Sequence, residues 1–109
     1  MKIIIQGGHL DLTPSLQTYI EEKFAKTAKF IKRYDGAGAA MLRVEVARTT
    51  KHHKKGEVFY AEANLDIPGG MIRAEAYDED ARKAVARAER TLIAELKKRK
   101  GKTVTQRKK

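Results

Sequence analysis

The chain has 109 residues, which suits one domain with one modest core, and it carries 24 Lys or Arg against 14 Asp or Glu for a formal charge of +10. The absence of cysteine excludes a disulfide framework, a thiolate nucleophile and a Cys-ligated zinc. No stretch approaches the roughly 20 apolar residues that cross a bilayer, and "MKIIIQGGHL" is too short in apolar residues for a secretory signal, so the sequence predicts a cytoplasmic protein with no membrane partner.

A strong positive charge draws polyanions over long range and weakens with salt, which puts nucleic acid first among partners. Its distribution matters more than its sum. Eight of the 24 basic side chains fall in residues 97–109, which leaves 16 basic against 14 acidic in the first 96. RNA binding by the folded body therefore requires that its basic groups gather on one face.

In chain order, "KIIIQ" closed by Gly7 and Gly8 predicts a strand buried on both faces or lying at the centre of a sheet. Thr13 followed by Pro14 predicts a helix start, because the hydroxyl can cap free N–H groups and proline lacks the N–H that would go unsatisfied there. Leu16, Ile20, Phe24, Ala28 and Ile31 then recur at helical spacing, while Lys23, Lys26, Lys29 and Arg33 form a different stripe. Gly36 and Gly38 end that helix. Alternation in "AAMLRVEVART" puts Leu42, Val44 and Val46 on one side of a second strand, and "TTKHHKKG" reads as a loop. A third strand places Phe59, Ala61, Ala63, Leu65 and Ile67 on one face; "PGG" turns the chain antiparallel into a fourth, with Ile72, Ala74 and Ala76 on its apolar side. The second helix, "DEDARKAVARAERTLIAELKKRK", has acids at its positive N-terminal end and a buried stripe of Ala81, Val85, Ala88, Leu92 and Leu96, with Gly101 as its expected stop. The order β-α-β-β-β-α predicts an α+β fold, a four-stranded sheet with two helices on one face, the first two strands parallel through a right-handed crossover.

Candidate catalytic chemistry is thin. His9, His52 and His53 are the only histidines, and the adjacent pair sits in a lysine-rich loop, which suits a basic patch better than a metal site. Ser15, the only serine, falls in the first turn of a helix with no nucleophile elbow around it. The acids at 78–80 are those the helix dipole favours. "QGGH" and "PGGM" lack phosphate-loop spacing. The sequence predicts no enzyme, no cofactor, no metal and no small-molecule substrate.

Basic residues organise better. Lys23, Lys26, Lys29 and Arg33 on the first helix, and Arg82, Lys83, Arg87 and Arg90 on the second, stand at spacings that make one exposed strip on each helix. Side by side on the sheet, the two strips can border a common groove for phosphates. Seven of the 14 acids lie at Asp11 or between residues 35 and 75, and the exposed helix faces are expected to hold few beyond Glu21, Glu22, Glu89 and Glu95.

The order of elements, "TPSLQTYIEEKFAKTAKF", the "PGG" hairpin, "AEAYDEDARKAV" and the alternate lysines Lys98, Lys100 and Lys102 together resemble the hibernation promoting factor family of ribosome-associated inhibitors, also labelled sigma-54 modulation proteins. The likeness covers nearly the whole chain. It implies a fold similar to double-stranded-RNA-binding domains, a non-enzymatic protein, and binding to rRNA of the small ribosomal subunit in the channel used by messenger and transfer RNA. Lys23, Lys26 and Lys29 match the family's "KFxKLxK" lysines, and Lys98, Lys100 and Lys102 its lysine-rich helix end. Asp80, Ala84 and Val85 fit the family's "DxYxAID" pattern, whereas Arg82 stands in place of Tyr and Ala86 in place of Asp; Thr91 and Ala94 replace a common Lys and Arg. With Lys97 at the helix end, the candidate RNA contacts are Lys23, Lys26, Lys29, Arg33, Arg82, Lys83, Arg87, Arg90, Lys97, Lys98, Lys100 and Lys102. The resemblance is to a short form, monomeric off the ribosome, with residues 1–100 as the ribosome-binding domain and 101–109 as a flexible basic tail. Two other classes fit the same residues: a generic duplex-RNA-binding module and a protein-binding modulator of transcription, separable by competition on ribosomes and by salt dependence.

Overall fold

The structure, a computed structural model, describes residues 1–8, 10–32, 40–49 and 59–107, with side chains as far as residue 99. Its elements run β1 (Lys2–Gly8), α1 (Pro14–Phe30), β2 (Met41–Arg48), β3 (Phe59–Ile67), β4 (Gly70–Asp78) and α2 (Ala81–Arg107). The four strands form one sheet in the order β1-β2-β3-β4, and the predicted β-α-β-β-β-α architecture is the one observed. No helix among the described residues is long and apolar enough to cross a membrane.

Local chemistry explains the boundaries. Thr13 Oγ1 accepts from the Leu16 N–H at 3.1 Å and Pro14 occupies the first turn, so α1 begins where the sequence predicts. Asp80 Oδ1 accepts from the N–H groups of Arg82 at 2.8 Å and Lys83 at 3.3 Å, which caps α2. Between β3 and β4, Gly69 adopts φ 95°, a left-handed conformation that favours glycine in a two-residue turn.

Register then places the apolar residues. β1 pairs parallel with β2, Ile3 opposite Leu42 and Ile5 opposite Val44; β2–β3 and β3–β4 are antiparallel. Leu42, Val44, Val46, Ala61, Ala63, Leu65, Ile67, Ile72 and Ala74 face the helices and are buried. Against them pack Leu16, Ile20, Phe24 and Ile31 of the α1 region and Ala84, Val85, Ala88, Leu92 and Leu96 of α2. Small buried side chains on both surfaces, Ala61, Ala63 and Ala74 on the sheet and Ala84 and Ala88 on the helix, suit the close seating of α2 on β3 and β4.

Several expectations are corrected. β1 is an edge strand, not a central or doubly buried one: the helical crossover sets it beside β2, and the sheet then grows away through two antiparallel pairings. Ile3 and Ile5 pack on the core, while Lys2 and Gln6 are exposed. Thr27 takes the buried place expected for Ala28, which is half-buried. Ala81 is half-buried and Ala84 lies deeper. Helix α2 runs through Gly101 to Arg107 instead of stopping. An interior glycine costs a helix only about 1 kcal/mol relative to alanine, and no proline follows to end it. Glu89, expected on the exposed face, is buried, because α2 packs against both the sheet and α1 and so buries a wider stripe than a helix on a sheet alone.

Candidate nucleic-acid interface

With Leu16, Ile20, Phe24 and Thr27 turned inward, α1 exposes Lys26 and Lys29 and leaves Lys23 half-buried. Lys23 Nζ lies 5.7 Å from the centroid of the Tyr19 ring one turn earlier. On α2 the buried stripe forces Lys83, Arg87, Arg90, Thr91, Ala94, Lys97 and Lys98 outward. No acid lies among them. Burial of Glu89 removes one carboxylate, and Glu95, half-buried, lies 3.5 Å from Lys98 Nζ in an i,i+3 pair. Ion pairs this exposed are worth little, so Lys98 remains free to exchange its partner for a phosphate.

Arg82 joins the two helices. Its Nη2 donates to Ser15 Oγ at 2.8 Å, its guanidinium carbon sits 5.2 Å from the Tyr19 centroid, and the Tyr19 hydroxyl donates to the Arg82 carbonyl at 3.3 Å. Two cations, Lys23 and Arg82, thus share one electron-rich ring. This contact brings the N-terminal end of the α2 strip against α1, where the sequence placed a shared groove.

Other candidates fall elsewhere. Arg87 stands on the outward strip but its tip reaches back to the end of β4, where Nη1 donates to the Tyr77 carbonyl at 2.6 Å and lies 3.4 Å from Asp78 Oδ2. It ties helix to sheet. Arg33 and the histidines His9, His52 and His53 lie outside the described residues. Lys100 and Lys102 belong to the helical backbone of α2, with side chains outside those described. Two residues that spacing did not single out also shape the surface. Tyr19 orders the seam, its position one turn before Lys23 being the only hint in the sequence; Arg99 Nη2 donates to the Gly69 carbonyl at 2.9 Å and pins the β3–β4 turn to α2.

The opposite face of the sheet has a different character. Glu45, Glu62 and Glu75 stand in one row across β2, β3 and β4. Arg73 Nε pairs with Glu62 Oε2 at 2.9 Å, and its Nη2 with Glu75 Oε2 at 3.2 Å. The bond from Asn64 Nδ2, with the one from the Tyr60 hydroxyl and the charge of Arg73, holds the Glu62 carboxyl below its ordinary range against the opposing effect of burial. Burial, then the bond to Glu75, pushes the Tyr60 phenol above its own. Basic strips on the helices and a carboxylate row on the sheet give the domain two unlike faces.

A family model described as Sigma 54 modulation protein / S30EA ribosomal protein matches residues 3–104. The chain belongs to this family. It is 31% identical over 102 residues to a ribosome hibernation promoting factor of Pseudomonas putida, covering 94% of this chain and 89% of that protein. With a ribosome hibernation promotion factor of Deinococcus radiodurans it shares 25% identity over 103 residues, 94% of this chain, and it spans only 51% of that protein's length. Among solved structures, the N-terminal domain of Protein Y from Thermus thermophilus is similar at 30% identity with a TM-score of 0.70, over 90% of this chain and 98% of that one. A ribosomal subunit interface protein from Coxiella burnetii shares the fold, with a TM-score of 0.67 at 23% identity over 93% of this chain and 99% of that one. For this family member the described geometry adds a basic strip on α2 with Glu95 at its edge, joined to α1 through Arg82 and Tyr19.

Proposed function

We propose that this chain is a ribosome hibernation factor that binds rRNA of the small ribosomal subunit in the messenger and transfer RNA channel and blocks translation sterically in resting or stressed cells. The observation that carries the reading is the exposed face of α2 between Lys83 and Lys98, which presents Lys83, Arg90, Lys97 and Lys98 against the single half-buried carboxylate of Glu95, with Lys26 and Lys29 exposed on α1. Such a face suits phosphates held at many points, with little readout of base sequence. Family membership supports the ribosome as the source of that RNA. On this reading the protein acts as a single cytoplasmic copy, needs no catalytic group, and relies on residues 1–100 as its ribosome-binding unit.

The test is co-sedimentation of the full chain with purified small subunits across a salt series, followed by competition with messenger RNA and initiator transfer RNA. Salt-dependent binding to vacant subunits that either competitor displaces supports the reading. Equal preference for free duplex RNA would assign a generic RNA-binding module instead, and salt-independent capture of a protein partner would assign a regulator of another kind.

A further inference from the structure

At the N-terminal end of the seam between α1 and α2 lies an open recess of about 450 Å³, lined by Pro14, Ser15, Thr18, Tyr19, Glu22 and Arg82. Three features of it are specific. A planar guanidinium lies over an aromatic ring, Arg82 on Tyr19 at 5.2 Å, and Arg82 is exposed, so the plane has a face open to solvent. Of the five N–H donors that a guanidinium carries, the described bonds use one, to Ser15. Finally, a carboxylate, Glu22, stands in the same recess with the hydroxyls of Ser15 and Thr18.

This mixture does not suit a phosphate, which Glu22 would repel. It suits a nucleobase: bases stack on Arg planes and aromatic rings, carboxylates accept from exocyclic amino groups, and hydroxyls serve as donor or acceptor. Within a duplex the bases are stacked and out of reach, so only an unpaired nucleotide can enter. Lys23, 5.7 Å from the Tyr19 centroid, and the exposed Lys83, next to Arg82 in the chain, supply cations for the phosphates on either side of that nucleotide. We infer that the recess takes one unpaired, amino-bearing base of the bound RNA, stacked on Arg82 with its amino edge toward Glu22. The inference rests on the RNA-binding reading above and adds a specificity site to an otherwise sequence-blind surface.

Two labelled RNA hairpins, identical except that one carries a single unpaired cytosine, test it by fluorescence anisotropy with the full chain at fixed salt. The expected result is about tenfold tighter binding of the bulged hairpin, the scale of one stacked base. Arg82→Lys keeps the charge but removes the plane, and should lose most of the preference for the bulged hairpin over the paired one. Tyr19→Phe, which retains the ring, should keep the preference, and Glu22→Gln should narrow the difference between an unpaired cytosine and an unpaired uracil. Equal affinity of the unsubstituted chain for both hairpins overturns the inference, as does a preference that survives Arg82→Lys. If the chain binds small subunits and the paired hairpin alike but shows no preference, only this site falls. Binding of neither hairpin and no subunits overturns the RNA reading with it.

Discussion

Arg87 Nη1 donates to the carbonyl of Tyr77 at 2.6 Å, so a side chain on the exposed helix face is tied to the end of β4. The bond satisfies a strand-terminal carbonyl and fixes the angle at which the chain turns from β4 into α2, with Asp78 Oδ2 3.4 Å away. Arg87→Ala should therefore act on stability more than on RNA. The expected loss is about 1 kcal/mol, the usual scale for such a bond, read from denaturant unfolding. The slope of ribosome affinity against salt should stay near that of the unsubstituted chain. A variant with full stability and a clearly reduced salt slope would return Arg87 to the phosphate contacts.

Lys26 and Lys29 present the opposite case. Both are exposed, and no ion pair involving either is described. Reversing their charge together, Lys26→Glu with Lys29→Glu, should leave unfolding stability within about 0.5 kcal/mol, as exposed substitutions usually do. Ribosome binding should weaken, and the logarithmic salt slope should fall by about 1 for each phosphate no longer neutralised. Unchanged binding at physiological salt would remove α1 from the interface.

The contrast between these residues shows what the sequence carried. Periodicity alone placed the buried faces of three strands, because Leu42, Val44 and Val46, or Ala61, Ala63 and Leu65, alternate without interruption. It also located the start of α1, where Thr13 and Pro14 act through local geometry. What it missed depends on partners remote in sequence. Arg87 sits at a spacing that makes it exposed, yet nothing in the helix reveals that the end of β4 lies within reach. Glu89 resembles an ordinary surface acid until α1 covers that side of α2. The three isoleucines of β1 suggest a doubly buried strand, but the number of strands beyond an edge is a property of the whole chain's topology. Stripes are local; seams and edges are not.

Tyr60 and Glu62 make stability depend on pH in opposite ranges. The Tyr60 phenol, raised by burial and then by its bond to Glu75, contributes stability that is fully present below the usual tyrosine range near about 10 and is lost as pH climbs through its folded value. Glu62, lowered by its bond from Asn64 and then by the one from Tyr60 and the charge of Arg73, contributes stability present above the usual carboxylate range and lost as pH falls through its folded value. Tyr60→Phe should flatten the alkaline limb of a stability profile, and Glu62→Gln the acid limb. Tyrosinate absorbance offers a second check, since the difference between the unsubstituted chain and Tyr60→Phe should report an ionisation above the usual tyrosine range. A difference that ionises within the ordinary tyrosine range would contradict the Tyr60 assignment.

Gly101 decides how the last basic residues are presented. Helix α2 passes through it to Arg107, so Lys100 and Lys102 ride on the same rod as Lys97 and Lys98. Glycine is the weakest link there, because it gives up the most backbone freedom on becoming helical. Gly101→Ala should add helical signal in far-ultraviolet circular dichroism and stabilise that end by up to about 1 kcal/mol. If the terminal lysines meet rRNA as part of a rigid helix, the same variant should bind small subunits more tightly, since less ordering remains to be done on contact. A tail that stays disordered on the ribosome would lose by the change, or be indifferent to it. Unaltered helicity would place the end of α2 at Gly101 after all, and leave Lys102 on a tether.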